Sequence, residues 1–419
     1  MTGAVEGRPG VRRVVVVGAG IVGLSCAWSL QEHGVEVEVV DRRHAGAGSS
    51  WRNAGFISPA LTVPLPEPSI LRYGVRAVLD RHSPVALPVP PTGTVLAFLA
   101  GMVRNCTTAR WQRAMAVYRP LNEQIFDAFD RQRAGGVEAA TTEGNLVAGF
   151  REPADAVGLL TELQGVVGSG LEVDIDVLTG DQARVAEPHL SDAINTAVVV
   201  RGQRYITPST YVTALADHVR FRGGKITEGA AVTSVDRRGD RVVVSSADHQ
   251  LEADAVVLAA GSWMTPLARP HGVRVAVQAG RGYSFTAPCR EPLRGPLYLP
   301  TTRVAITPEG ERARLAGVME FAGPDAAPFR GRIPSMVRAV RPLLRGVDID
   351  DRADEWVGAR PLTTDGMPLI GPTRTPGVYV AGGHGMWGVT LGPLTGRLLA
   401  EQIVTGRAPA ELAPLDPRR

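Results

Sequence analysis

The apolar residues of this chain open on a continuous run, Val14-Val15-Val16-Val17, which reads as a strand buried on both faces. Ile21, Leu24, Trp28 and Leu30 then fall on the inward side of a helix over 21–33 that Gly34 stops, and 35–40 is a second strand ending at Asp41. Residues 60–92 are proline-rich and irregular. Helices are predicted over 94–105 and 110–133, the second with Trp111, Met115, Tyr118, Ile125, Phe126 and Phe129 largely on one face. Strands at 144–148 and 196–200 flank a helix near 153–169, and a further helix runs over 205–220. Residues 231–236 and 241–245 form an antiparallel hairpin across Arg238-Gly239-Asp240, followed by a buried strand at 255–260. Short strands at 274–277, 283–286, 303–307 and 313–319 predict an antiparallel sheet, with a helix over 330–343 after it. The pattern ends on a strand at 377–382, a glycine-rich loop and a helix to 403.

The glycines between the first strand and helix add chemistry to this outline. Gly18, Gly20 and Gly23 fit G-x-G-x-x-G: the first permits a tight turn, the second admits a pyrophosphate close to the backbone, and the third lets helix and strand pack. Ile21 and Val22, at the helix N-terminus, offer free N–H groups and a positive dipole to phosphates, and Asp41 is spaced to accept from ribose hydroxyls. These features predict a dinucleotide site without saying which dinucleotide. Arg42 and Arg43 raise a 2′-phosphate pocket as an alternative, against which the acid at the ribose position weighs. Ser49, Ser50, Asn53, Ala54 and Gly55 are small or hydroxylated residues that let backbone crowd a polar ligand, or else form an ordinary surface loop. Leu258-Ala259-Ala260-Gly261 ends a strand as a chain does when it passes close beneath a nucleotide, so 205–263 returns to the domain begun at residue 14.

Composition bounds the remaining possibilities. With 419 residues, 44% of them hydrophobic, the chain can bury a large core split between two domains. The net charge is +3 with basic residues dispersed, which leaves no nucleic-acid footprint. Cys26, Cys106 and Cys289 lack C-x-x-C spacing, which argues against disulfides and a zinc site; no metal is expected, and a reducing cytoplasm is the expected compartment. Residues 1–10 lack the apolar core of a signal peptide, and no run approaches the roughly eighteen apolar residues of a membrane span. The proline-rich stretch followed by an amphipathic basic helix leaves a peripheral membrane contact open beside the plainer reading of a helix packed in a second domain.

Six segments then stand in a specific order: Val17-Gly-Ala-Gly-Ile-Val-Gly-Leu24, Ser49-Ser-Trp-Arg-Asn-Ala-Gly55, Leu258-Ala-Ala-Gly-Ser-Trp263, Gln278-Ala-Gly-Arg-Gly-Tyr-Ser284, the stretch from Trp356 through Arg360-Pro361 to Gly371, and Gly382-Gly-His-Gly-Met-Trp-Gly388. Together they resemble the D-amino-acid oxidase/dehydrogenase (DAO) superfamily of flavoproteins, most closely its bacterial D-amino-acid dehydrogenase branch, with glycine oxidase as a near relative. The resemblance covers residues 14–403. It implies an α/β architecture: a discontinuous Rossmann-like FAD-binding domain from 11–62, 205–270 and 355–410, and a substrate-binding domain with an antiparallel sheet and helices from 63–204 and 271–354. It adds Val232, Ala260 and Gly261 to the cofactor site. The C-terminal segments lack the cysteine to which sarcosine oxidases attach flavin, so FAD is expected to be non-covalent.

Reduction places negative charge on the N1/C2=O side of a flavin, and the helix N-terminus after Gly385, at Gly388, Val389 and Thr390, would stabilise it; the plainer reading is a turn that starts a helix. Arg360 is similar to the superfamily's arginine for the substrate carboxylate, a fork of donors that would aim the Cα–H at flavin N5. The alternative is a salt bridge to Asp354, Glu355 or Asp365. Tyr283 and Tyr298 correspond to pocket-lining tyrosines or sit in the core. His384 is a base near neutrality or a structural contact. Met386 and Trp387 wall the site; glycine oxidase has arginine where Met386 stands, which weakens that assignment. The expected reaction is FAD-dependent oxidation of the Cα–N bond of an amino acid, D-configured by the resemblance, with hydride transfer to N5 and hydrolysis of the imino acid to a 2-oxo acid and ammonia. An N-alkyl glycine, cyclic imino acid or secondary-metabolite amine is the alternative substrate, and a non-catalytic FAD-binding module the alternative of another class. The electron acceptor (oxygen, a quinone or a carrier) and the oligomeric state stay open.

Overall fold

The computed structural model describes residues 10–68, 85–86 and 92–419. Its first elements are β1 (Arg13–Val17), α1 (Ile21–Glu32) and β2 (Glu36–Val40). β1 lies inside a six-stranded sheet, parallel to β2 on one side and to Ala255–Leu258 on the other. Val378–Gly382 and Leu369–Pro372 extend one edge and Lys225–Thr227 the other. An interior strand needs apolar residues on both faces. Val14 and Val16 meet the helical layer of α1 and the C-terminal helix Gly388–Thr405, whereas Val15 and Val17 meet the hairpin valines Val242 and Val244.

A second, ten-stranded sheet forms the other layer. The strand Ala353–Thr363 borders Val277–Pro288, which pairs in turn with Arg312–Phe321, all antiparallel. Val304–Glu309, Leu297–Leu299, Thr142–Phe150, Thr196–Tyr205 and Phe56–Ile57 continue the row. Residues 355–363, grouped in sequence with the nucleotide-binding segments, therefore lie in this second sheet and carry Arg360 with them.

Several elements differ from the sequence expectation. The helix expected over 110–133 is two, Thr108–Asn122 and Ile125–Ala134. Pro120 has no N–H for the helical ladder, and after the break the Gln124 side chain turns back to the Pro120 carbonyl. The apolar face survives the break: Met115, Tyr118, Ile125 and Phe129 are buried in the core that α1 shares. Residues 274–277 are not a separate strand, since only Val277 is extended, as the start of the strand that also takes in 283–286. Ile175–Thr179 and Gly180–Ala186 were not anticipated. Of the proline-rich stretch 60–92, residues 69–84 and 87–91 lie outside the described residues; its start is the helical turn Pro59–Leu61. Among the described residues no helix is long and apolar enough to cross a membrane.

The helical layer is closed by a backbone contact. A Cβ on Gly396 would lie 2.4 Å from the Ser25 carbonyl carbon and oxygen in α1. Gly396→Ala is expected to force the two helices apart and to cost about 1–3 kcal/mol, read as a lower urea midpoint at unchanged slope.

Candidate functional site

The two sheets share a cleft enclosing about 1670 Å³ including its open mouth. Its lining extends from the Gly18 turn of the first sheet to Arg360 of the second. At one end Gly18, with φ of 111°, turns against the loop after Ala255–Leu258; a Cβ there would stand 2.5 Å from the Ala259 carbonyl oxygen. A Cβ on Gly23 would fall 1.9 Å from the Gly18 carbonyl oxygen, so the third glycine of the motif is needed for α1 to sit so close to its own turn. The Asp41 carboxylate accepts from the Ala19 N–H at 2.7 Å and the Arg43 N–H at 2.8 Å, which fixes it at the cleft wall. Ser50 Oγ accepts from the Ile21 N–H at 3.1 Å, and Asn53 donates to the Ser49 and Ser50 carbonyls while accepting from the Gly55 N–H.

Gly18, Gly20, Ile21, Val22, Asp41 and Arg42 line this end together with Ser49, Ser50 and Asn53. Val232, Ala260 and Gly261 complete it. Gly23, Ala54 and Gly55 lie behind the wall: Gly55 adopts φ of 69° against the Ile206 carbonyl, and the Ala54 carbonyl accepts from Thr307 Oγ1 at 2.8 Å. A backbone cradle cleared of Cβ atoms, N–H groups of a helix start and a fixed carboxylate fit the phosphates and ribose of a dinucleotide. Arg42 is itself engaged by Asp325, with guanidinium-to-carboxylate distances of 3.2 and 3.3 Å.

At the other end Gly282 and Gly358 face each other across neighbouring strands. The Arg360 guanidinium lies over Gly282, where a Cβ would stand 2.2 Å from Nη2. Arg360 Nη1 donates to the Val318 carbonyl at 2.9 Å, and Val318 holds φ of 64°, a costly conformation for a β-branched residue. Burial lowers the Arg360 pKa to about 10, so it is a cation at neutral pH. Its three candidate acidic partners are taken elsewhere: Asp354 by Arg52, Glu355 by Arg352 and Asp365 by Arg419. Among the described residues Arg360 forms no ion pair, and its side chain lines the cleft.

His384 also borders the cleft, but its Nε2 is 2.9 Å from Thr395 Oγ1 and burial pushes its pKa down to about 4, so the ring is neutral. Tyr283 reaches the wall, while its hydroxyl donates to Glu320 at 2.6 Å and accepts from the Phe329 N–H at 3.0 Å. Tyr298 is outside the lining; it packs against the cluster that includes Leu146, Ala148 and Phe150 and accepts a hydrogen bond from Arg303. Gly385, Met386, Gly388 and Val389 line the cleft, Thr390 Oγ1 donates to the Phe56 carbonyl behind it, and Trp387 Nε1 donates to the Val63 carbonyl.

Sequence reasoning assigned no role to Gly282, Val318 or Ser284. Gly282 clears the guanidinium, Val318 orients it, and Ser284 Oγ donates to the Arg52 carbonyl at 2.7 Å. The spaced glycines of the Gln278–Ser284 segment were the only available signal. Among the described residues no group of acids, histidines and cysteines could hold a metal ion.

Residues 13–402 match the family model described as FAD dependent oxidoreductase (DAO). The chain is 31% identical to a D-amino acid dehydrogenase of Cereibacter sphaeroides, covering 95% of this chain and 92% of that protein. It is 32% identical to one of Methylobacterium radiotolerans, covering 94% and 96%. In fold it is similar to glycine oxidase from Geobacillus kaustophilus, with a TM-score of 0.74 at 22% identity over 97% of this chain and 99% of that one. It is also similar to L-proline dehydrogenase from P. horikoshii, with a TM-score of 0.68 at 16% identity over 98% of each. With a cleft that fits FAD and a family match across both sheets, the chain belongs to the DAO family of FAD-dependent oxidoreductases.

Proposed function

We propose that this oxidoreductase oxidises the Cα–N bond of a D-amino acid, with Arg360 binding the substrate carboxylate. The observation that carries this reading is a buried guanidinium on the wall of the FAD cleft with no acidic partner among the described residues. A desolvated cation without a counter-ion is costly to maintain and gains most from an incoming carboxylate, which its planar fork can bind in two places. The names of the curated relatives support the D series.

FAD, when bound, supplies the acceptor for the hydride leaving the substrate Cα. The protein's part is placement. Arg360, tied to the Val318 carbonyl and seated on Gly282, fixes the carboxylate and with it the direction of the Cα–H bond. Met386, Trp356 and Ala316 leave an apolar surround for the side chain. His384 does not take the amine proton, because its Nε2 is bonded to Thr395 and the ring stays neutral down to about pH 4. The substrate amine loses its proton to water before oxidation, and water then hydrolyses the imino acid to a 2-oxo acid and ammonia.

Anaerobic mixing of the holoenzyme with D-amino acids, their L-enantiomers and N-methyl glycines tests the proposal. D-amino acids with neutral side chains are expected to bleach the flavin absorbance and release 2-oxo acid; bleaching by N-methyl glycines alone would transfer the activity to secondary amines. Arg360→Lys keeps the charge but loses the fork. It is expected to weaken substrate binding on the order of a hundredfold while flavin content stays constant. The rate of flavin reduction at subsaturating substrate should rise with pH as the amine deprotonates. His384→Gln should leave that profile unmoved above about pH 6, whereas loss of an acidic limb in the variant would make the histidine a base.

A further inference from the structure

At the nucleotide end of the cleft, Asp325 contacts two of the residues that line it. Asp325 lies in the connection between Arg312–Phe321 and Arg332–Val340, on the side of the second sheet. One carboxylate oxygen accepts from Trp263 Nε1 at 2.7 Å and from Arg42 Nη1 at 3.3 Å, and the other lies 3.2 Å from Arg42 Nη2. The Arg42 guanidinium carbon is 5.0 Å from the centroid of the Trp263 ring and that of Arg43 is 5.8 Å from it. Arg42 and Arg43, directly after β2, and Trp263, after the strand Ala255–Leu258, are all walls of the cleft.

The connection is anchored on either side of its tip. Gln278 Nε2 donates to the Ala322 carbonyl at 3.3 Å, and Arg281, 2% exposed, donates to the Ala327 carbonyl at 3.2 Å. The Tyr283 hydroxyl receives the Phe329 N–H. All three anchors come from the strand Val277–Pro288, so the tip with Asp325 is held out toward the first layer by a fixed base. Burial raises the Asp325 carboxyl, but the bonds from Trp263 and Arg42 outweigh that and hold it below the usual carboxylate range. At neutral pH it is an anion facing two guanidinium groups and an indole donor.

We infer that Asp325 is a cofactor-retaining residue: bridging Arg42 and Trp263, it ties the two layers together across the adenosine end of the FAD cleft, and FAD leaves only when this bridge opens. The assignment goes beyond the oxidation reaction and holds whichever substrate is taken. Side-chain exposures of 61% for Asp325 and 41% for Arg42 mean that salt screens the ionic part, so retention depends on ionic strength. The Trp263 hydrogen bond is the part that salt does not remove.

The test is the rate of FAD release from the holoenzyme, followed by the rise in free-flavin fluorescence after dilution, at low and high NaCl. Wild-type release should quicken with salt. Asp325→Ala should release FAD roughly tenfold faster at low salt and show little further response to salt. Asp325→Asn keeps an acceptor for Trp263 and loses the charge; it should fall between the two and also be flat in salt. A wild-type release rate in Asp325→Ala overturns the inference. So does faster release that keeps the wild-type salt response, since that outcome belongs to general loosening of the fold. Thermal unfolding of both apo variants at wild-type temperature identifies any change in release with the bridge itself.

Discussion

The contact on which this molecule is built is backbone against backbone between the Gly18 turn and the loop at Ala259. It brings the ends of two parallel strands within a distance that no side chain tolerates, and it opens the cleft directly above them. α1 can start there only because Gly23 clears the Gly18 carbonyl, and α1 in turn sets the place of the C-terminal helix through Ser25 and Gly396. One steric requirement therefore propagates from the phosphate end to the helix whose N-terminus, at Gly388 and Val389, forms the opposite wall.

The second constraint is electrostatic. Taking a guanidinium out of water without a carboxylate costs several kcal/mol, and a carbonyl hydrogen bond recovers only part of it. The fold adds a strained Val318 backbone to hold that carbonyl in place. Strain at Val318 and desolvation at Arg360 meet in one hydrogen bond at the cleft, the combination on which the proposed carboxylate site rests. The same reasoning separates Arg360 from its neighbours Arg52 and Arg352, whose carboxylate partners are already present.

How far these features were legible in the sequence depended on whether their cause was local. Val14 to Val17 declared their strand because both of its faces are buried, and alternation was not needed to find it. The 110–133 periodicity ran straight over a helix break because both halves bury the same face, and Gln124 at the break is held by Glu411 and Arg397 from far along the chain. Val277–Pro288 looked fragmentary because Gly280, Arg281 and Gly282 interrupt its apolar pattern. Gly282 is there for Arg360, a residue that lies about eighty positions later in the chain and beside it in space. The face of a strand that a tyrosine occupies is equally invisible from composition. Tyr283 follows a bulge in its pairing at Arg281, and its hydroxyl ends on Glu320 and Phe329.

The two ends of the cleft are joined by a short chain of hydrogen bonds that runs through neither helix. Ser50 holds the Ile21 N–H at the phosphate end, and Asn53 organises the loop that Ser50 begins. The second sheet then grips the same loop by its carbonyls, Ser284 at Arg52 and Thr307 at Ala54. Ser284 is two residues along its strand from Gly282, the seat of the Arg360 guanidinium. On the proposed reading, a cofactor held by the loop and a carboxylate held by Arg360 would both be referred to one strand, Val277–Pro288. The stiffness of a strand paired on both sides would then set the relative placement of donor and acceptor.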